Sequence, residues 1–119
     1  MKCLVLDYGG SSVKYAVVGD DAVMSHNGSA AAPLNSLEEF LDSAAALYGS
    51  FRDEVDGIAM SLPGFIDPET GMHFGSGVYG DILKGKNVKK LVQQRCGCKV
   101  SLENDGKCGA LAEAWKGSL

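Results

Sequence analysis

The sequence predicts an α/β domain in which an antiparallel three-strand meander continues into parallel strands flanked by helices, forming one mixed sheet. Three short apolar runs at the N-terminus are separated only by tight polar turns at 7–12 and 19–21, the spacing of hairpins. An amphipathic helical pattern at 36–48 stands between two strand-like runs, long enough for a parallel crossover. One more strand-like run downstream, at 98–102, stands between two further helical patterns, which extends the parallel part of the sheet.

The elements follow in order. Residues 2–6, Lys2-Cys3-Leu4-Val5-Leu6, read as a short buried strand, and Asp7-Tyr8-Gly9-Gly10-Ser11-Ser12 as a tight polar turn. Residues 13–18 and 22–26 read as the second and third strands, and Ser29-Ala30-Ala31-Ala32-Pro33 as a short linker. The helix at 36–48 opens on Ser36 and Glu39 at capping-box spacing. Leu37, Phe40, Leu41, Ala44, Leu47 and Tyr48 share one face, and Gly49 is a suitable stop. Residues 55–62 read as a buried strand ended by Pro63-Gly64, and Asp67-Pro68-Glu69-Thr70-Gly71 as the tip of a loose hairpin. A helix at 87–94, a last strand at 98–102 and a last helix at 105–116 complete the order.

Composition narrows the function classes. The 119 residues suit one domain, and 45% hydrophobic with 22% charged residues is an ordinary globular balance. A net charge of -4, with no basic cluster beyond Lys84, Lys86, Lys89 and Lys90, argues against nucleic acid as the main partner and gives no reason to expect a membrane surface. The N-terminal apolar run is too short for a signal-peptide core or a transmembrane span, so the expected location is the cytoplasm. Cys96-Gly97-Cys98 is tighter than zinc-knuckle spacing and no second pair completes it; with Cys3 and Cys108 these read as free thiols.

The chemistry-bearing residues gather at strand ends. If 2–6, 55–62 and 98–102 are parallel neighbours, their carboxyl ends are Asp7, Pro63-Gly64 and Asn104-Asp105. Ligands of open α/β sheets collect outside that edge. Asp105 alone also reads as a helix N-cap, with Asn104 beside it as a donor and acceptor for hydroxyl groups. Gly9 and Gly10 allow close backbone approach, successive N–H groups there can cradle an anion, and Ser11 and Ser12 add hydroxyls. Lys14 is placed to offset phosphate charge and Asp7 to hold a metal ion through water. A plain Gly-Gly hairpin explains the same turn, except that it does not require Asp7. Gly64 could admit a small substrate, with Phe65 as an apolar wall, or simply stop a strand. His26 and His73 read as surface or core histidines; His73, in a glycine-rich loop, is kept as a candidate for a supporting place behind the site.

These residues meet a known pattern. Asp7-Tyr8-Gly9-Gly10-Ser11-Ser12-Val13-Lys14 resembles the Asp-x-Gly-Gly-Thr-x-x-Lys phosphate motif of the ROK family of sugar kinases and repressors. Ser61-Leu62-Pro63-Gly64-Phe65-Ile66-Asp67 with Gly71 resembles its second glycine segment. Glu103-Asn104-Asp105-Gly106-Lys107-Cys108-Gly109-Ala110-Leu111-Ala112-Glu113 is similar to its Glu-Asn-Asp catalytic stretch. Order and spacing agree along the whole length.

The resemblance implies an actin-like ATPase (ribonuclease H-like) fold, of which residues 1–119 are the N-terminal sugar- and phosphate-binding domain, with a C-terminal domain beyond Leu119. It implies transfer of the ATP γ-phosphoryl group to a hydroxyl of a hexose or N-acetylhexosamine, with Mg2+ as cofactor and a homo-oligomer at full length. By that match Asp105 is the catalytic general base, and Asn104 and Gly64 contact the sugar with Phe65 alongside. Gly9, Gly10, Ser11, Ser12 and Lys14 meet phosphate, and Asp7 holds the metal. The departures are Ser11 for threonine, Gly106-Lys107 for Ala-Asn, and Ser76-Gly77 where relatives often carry Asn-Leu, a sugar contact. The family's Cys/His zinc motif, adenosine region and further sugar-binding Glu and His are expected beyond Leu119. The alternatives are a sugar-responsive repressor of the same family, for which the motif at Asp7 leaves no room for a preceding helix-turn-helix, and a non-enzymatic actin-like regulatory protein, which would not need Asn104-Asp105.

Overall fold

The computed structural model describes residues 2–19, 24–67 and 69–104, the last two as backbone. In chain order it contains β1 (Lys2–Tyr8), β2 (Ser12–Gly19), β3 (Met24–Ala31), α1 (Leu37–Phe51), β4 (Gly57–Leu62), β5 (Phe65–Ile66), β6 (His73–Gly75), α2 (Gly80–Leu83), α3 (Val88–Cys96) and β7 (Lys99–Asn104). Five strands form one sheet in the order β3-β2-β1-β4-β7. β2 runs antiparallel to β1 and β3, whereas β4 runs parallel to both β1 and β7. β5 and β6 make a separate antiparallel pair. The meander and the three parallel neighbours are those expected from the sequence.

Alternation explains which face carries the core. Leu4, Leu6 and Tyr8 of β1 are fully buried on one face, and Cys3, Val5 and Asp7 take the other. All six positions of β4 are buried, as expected of a parallel strand between two others. α1 lays Phe40, Leu41, Ala44 and Tyr48 into the core. The Phe40 ring lies 4.9 Å from that of Tyr8, and Tyr79 meets Tyr8 edge-on at 5.8 Å. The Ser36 hydroxyl accepts the Glu39 N–H at 3.1 Å, which fixes the start of α1. Asn87 caps α3 in the same way through the Lys90 N–H, and Gly97 closes it at φ 72 with its N–H on the Gln93 carbonyl. Arg95 of α3 ties the two helices together through Glu38 and Asp42.

Several boundaries differ from the expectation. β1 extends through Asp7 and Tyr8, so the turn shrinks to the residues between Tyr8 and Ser12. β3 runs to Ala31, absorbing half of the expected linker, because backbone pairing with β2 compensates for weak strand formers. At its middle, Gly28 lies opposite Tyr15 and under its ring, where an added Cβ would collide with the phenol. α1 does not stop at Gly49 but runs to Phe51, whose ring packs on Tyr15 and His26. α2 was not expected at all. The helix expected at 105–116 lies outside the described residues. Cys3 and Cys96 are buried and Cys98 half-buried, all three as free thiols, and burial pushes Cys96 up to about 11; Cys108 lies outside the described residues. Among the described residues, no helix is long and apolar enough to cross a membrane.

Candidate phosphate and sugar site

The strand register brings the carboxyl ends of β1, β4 and β7 level. Asp7 stands opposite Ser61, Ser61 opposite Glu103, and Leu62 opposite Asn104. The three segments singled out from the sequence therefore share one edge of the sheet, the place where α/β folds receive ligands.

At the end of β1, the Gly9 N–H donates to the Ser12 carbonyl at 2.9 Å and closes a tight turn over Gly10 and Ser11. Both of those residues are exposed, and among the described residues their N–H groups have no backbone acceptor. Two adjacent outward donors at a turn form a concavity suited to a phosphate oxygen. Neither Gly9 nor Gly10 lies in the left-handed region, so the backbone angles do not require glycine here. A Cβ on Gly10 would find Val78 Cγ1 at 3.7 Å, an ordinary contact. Asp7 and Lys14 are direct partners across the β1–β2 ladder, an opposite-charge pair at the root of the turn.

At the end of β4 the chain turns at Pro63-Gly64. Gly64 has φ 102, and a Cβ there would overlap the Ser76 carbonyl oxygen and come within 3.0 Å of His73 Cε1. Only glycine fits. The fully buried His73 holds this turn from behind. Its Nδ1 accepts the Gly75 N–H at 3.0 Å, so its proton is on Nε2, which donates to the Pro63 carbonyl at 3.2 Å. Of the surface and core places expected for the histidines, His73 takes the core one. Asp67 shapes the far end of the hairpin, its Oδ1 accepting the Glu69 N–H at 2.9 Å and its carbonyl the Gly71 N–H at 2.7 Å.

The residue that sequence reasoning missed is Tyr79. It is fully buried between Tyr8 and Phe40, and its hydroxyl donates to the Gly9 carbonyl at 2.7 Å. Burial pushes its phenol up to about 12, which keeps the proton on the donor. No local pattern points to this bond, because its partner is 70 residues away in the chain. An aromatic amid glycines at 75–80 was the one available signal.

The expected site residues thus fall into three groups. Asp7, Gly9, Gly10, Ser11, Ser12 and Lys14 form one cluster at the β1–β2 turn. Gly64 and Phe65 stand at the neighbouring strand end, Phe65 being 74% exposed and so free to present its ring to a ligand. Asn104 ends β7 beside Leu62. Asp105 lies outside the described residues. Among those residues, no cluster of three His, Cys, Asp or Glu side chains forms a metal cage.

The ROK family model matches residues 3–118. A beta-glucoside kinase of Listeria innocua is 31% identical over 117 residues, covering 98% of this chain and 39% of the relative. An N-acetyl-D-glucosamine kinase of Mannheimia succiniciproducens is 30% identical over 112 residues, covering 92% of this chain and 36% of the relative. A Listeria monocytogenes protein of solved structure superposes with a TM-score of 0.81 at 30% identity, over 99% of this chain and 40% of that one. The chain thus spans about two-fifths of the length of the relatives it matches.

Proposed function

The chain belongs to the ROK family and has its actin-like ATPase (ribonuclease H-like) fold, and from that premise we propose that it is the sugar- and phosphate-binding N-terminal domain of a two-domain kinase. The reaction is transfer of the ATP γ-phosphoryl group to a hydroxyl of a hexose or N-acetylhexosamine. The observation that supports this reading is the level register of the three strand ends, by which the Gly9-Gly10 turn, the Gly64 turn and Asn104 share one edge of the sheet.

The roles follow from the chemistry of each group. The N–H groups of Gly10 and Ser11 and the hydroxyls of Ser11 and Ser12 bind phosphate oxygens, and Lys14 offsets their charge. Asp7 suits Mg2+ better than a dedicated protein cage would, since Mg2+ keeps several waters and takes one or two carboxylates plus substrate phosphates. When bound with the nucleotide, Mg2+ neutralises charge that develops on the transferred group. Gly64 and Asn104 contact the sugar, with Phe65 as an apolar wall. Asp105 orients the acceptor hydroxyl and takes its proton.

Full-length protein assayed with ATP, Mg2+ and a panel of hexoses and N-acetylhexosamines tests the activity and names the sugar. In that assay Asp105→Asn lowers kcat by at least about 10²-fold and leaves sugar affinity within about tenfold. Near-wild-type turnover by the variant would return Asp105 to a helix cap, and no turnover by the wild type on any sugar would remove the kinase reading.

A further inference from the structure

The phosphate turn and the Pro63-Gly64 turn belong to different strands, yet one short segment touches both. Gly77 is pressed against the second turn: a Cβ there would stand 3.1 Å from both Gly64 N and Pro63 C. The Ser76 carbonyl fills the space a side chain at Gly64 would need. Two residues on, Val78 Cγ1 covers Gly10 and the Tyr79 hydroxyl holds the Gly9 carbonyl. The segment is itself fixed at both ends. Upstream, His73 joins the Gly75 N–H to the Pro63 carbonyl; downstream, the Gly80 N–H donates to the Gly77 carbonyl at 3.0 Å and Tyr79 is locked between Tyr8 and Phe40.

We propose that Tyr79 is a positioning residue for nucleotide binding, and that residues 76–79 tie the phosphate turn to the sugar turn. The argument is one of constraint. The Gly9-Gly10 turn is exposed, carries no bulky side chain and has one backbone bond of its own, Gly9 N–H to Ser12. A two-glycine turn loses more conformational freedom on ordering than any other pair of residues. The buried, protonated Tyr79 hydroxyl supplies the missing anchor by drawing the Gly9 carbonyl inward. The Gly9–Gly10 peptide then holds its Gly10 N–H outward, where a phosphate oxygen would be met. Tyr79 touches no substrate; it acts through the turn.

This inference rests on the kinase reading for its kinetic test and on amide exchange for a test that needs no turnover. Tyr79→Phe keeps the ring between Tyr8 and Phe40 and removes only the hydroxyl. In the full-length protein it raises the KM for ATP about fivefold, the worth of one neutral hydrogen bond, and leaves the sugar KM within about twofold. Amide exchange at Gly9, whose N–H closes the turn on the Ser12 carbonyl, quickens by a similar factor, measured at equal distance below each protein's Tm so that a general loss of stability is removed. A purely packing role would lower Tm without splitting the two KM values. Unchanged exchange at that amide overturns the anchor even if the protein is no kinase. Should the wild type phosphorylate sugars while Tyr79→Phe shifts both KM values equally, the positioning role falls and the kinase reading stands.

Discussion

At the end of β1, Gly9 and Gly10 hold backbone angles outside the left-handed region, and a side chain at Gly10 would meet only Val78 at van der Waals distance. At the end of β4, Gly64 sits at φ 102 with no room for a Cβ, and Gly75 and Gly77 opposite it are left-handed as well. A Cβ at Gly9 would stand 3.2 Å from the Ser12 carbonyl, so in the first turn the fold has a claim on Gly9 but not on Gly10, which on the proposed function is kept open for phosphate; the second turn needs glycine for its own folding. Glycine-rich motifs thus hide two different requirements, and substitution separates them.

The largest effect belongs to the second turn. Gly64→Ala combines a backbone conformation that L residues rarely adopt with overlap on the Ser76 carbonyl, and lowers stability by roughly 2–4 kcal/mol. Chemical denaturation reads this directly, and an unchanged midpoint would show that the turn relaxes away from His73. Gly10→Ala is the complement. It changes stability by less than about 1 kcal/mol, since the new methyl meets Val78 at ordinary contact distance, yet on the proposed function raises the KM for ATP because a side chain there narrows the close approach of phosphate to the backbone. If Gly10→Ala melts as early as Gly64→Ala, the distinction between the two turns collapses.

Much of this was legible in the sequence because it was local. The strand-turn-strand order of the meander and the Ser36–Glu39 cap each depend on neighbours, and both appear in the structure. What could not be read was set by partners far along the chain. Asn27-Gly28-Ser29-Ala30-Ala31 carries no strand signal and is a strand because β2 pairs with it and Tyr15 covers Gly28. Gly49 failed as a helix stop because Phe51, two residues further, had rings to pack on. The site followed the same rule. Its three segments could be placed at strand ends from sequence, but the buried His73 and Tyr79 that hold two of them in shape act across 10 and 70 residues.

High pH distinguishes the two turns in a graded way. Burial raises the Tyr8 and Tyr79 phenols above their ordinary 10.0, Tyr79 to about 12. Between those values the unfolded chain releases phenolic protons that the folded chain retains, so the folded state binds more protons. Stability contributed by these groups is complete below pH 10 and declines as pH rises toward 12. Tyr79 ionisation also removes the donor to Gly9, a bond of the first turn and not of the second. ATP affinity therefore falls before sugar affinity across that range, and Tyr79→Phe flattens the ATP curve. Parallel decline of both affinities in the wild type would mean that alkali acts on the fold as a whole.

The smallest effect is a gain. Ser76 is one of two non-glycine residues among those described with positive φ, at 63, in the left-handed region where asparagine is tolerated far better than serine. Its carbonyl lies against Gly64. Ser76→Asn therefore relieves local strain, adding a few tenths of a kcal/mol of stability. Its carboxamide also supplies a donor and an acceptor beside the sugar turn, lowering the sugar KM while the ATP KM stays unchanged. The reason for the split is position: Ser76 lies at the sugar end of the 76–79 segment, Tyr79 at the phosphate end. A Tm that drops in Ser76→Asn would show that the serine hydroxyl has a role that the left-handed backbone does not explain. A rise in Tm with both KM values unmoved would confine residue 76 to shaping the turn and leave sugar recognition to Gly64, Asn104 and the residues that follow it.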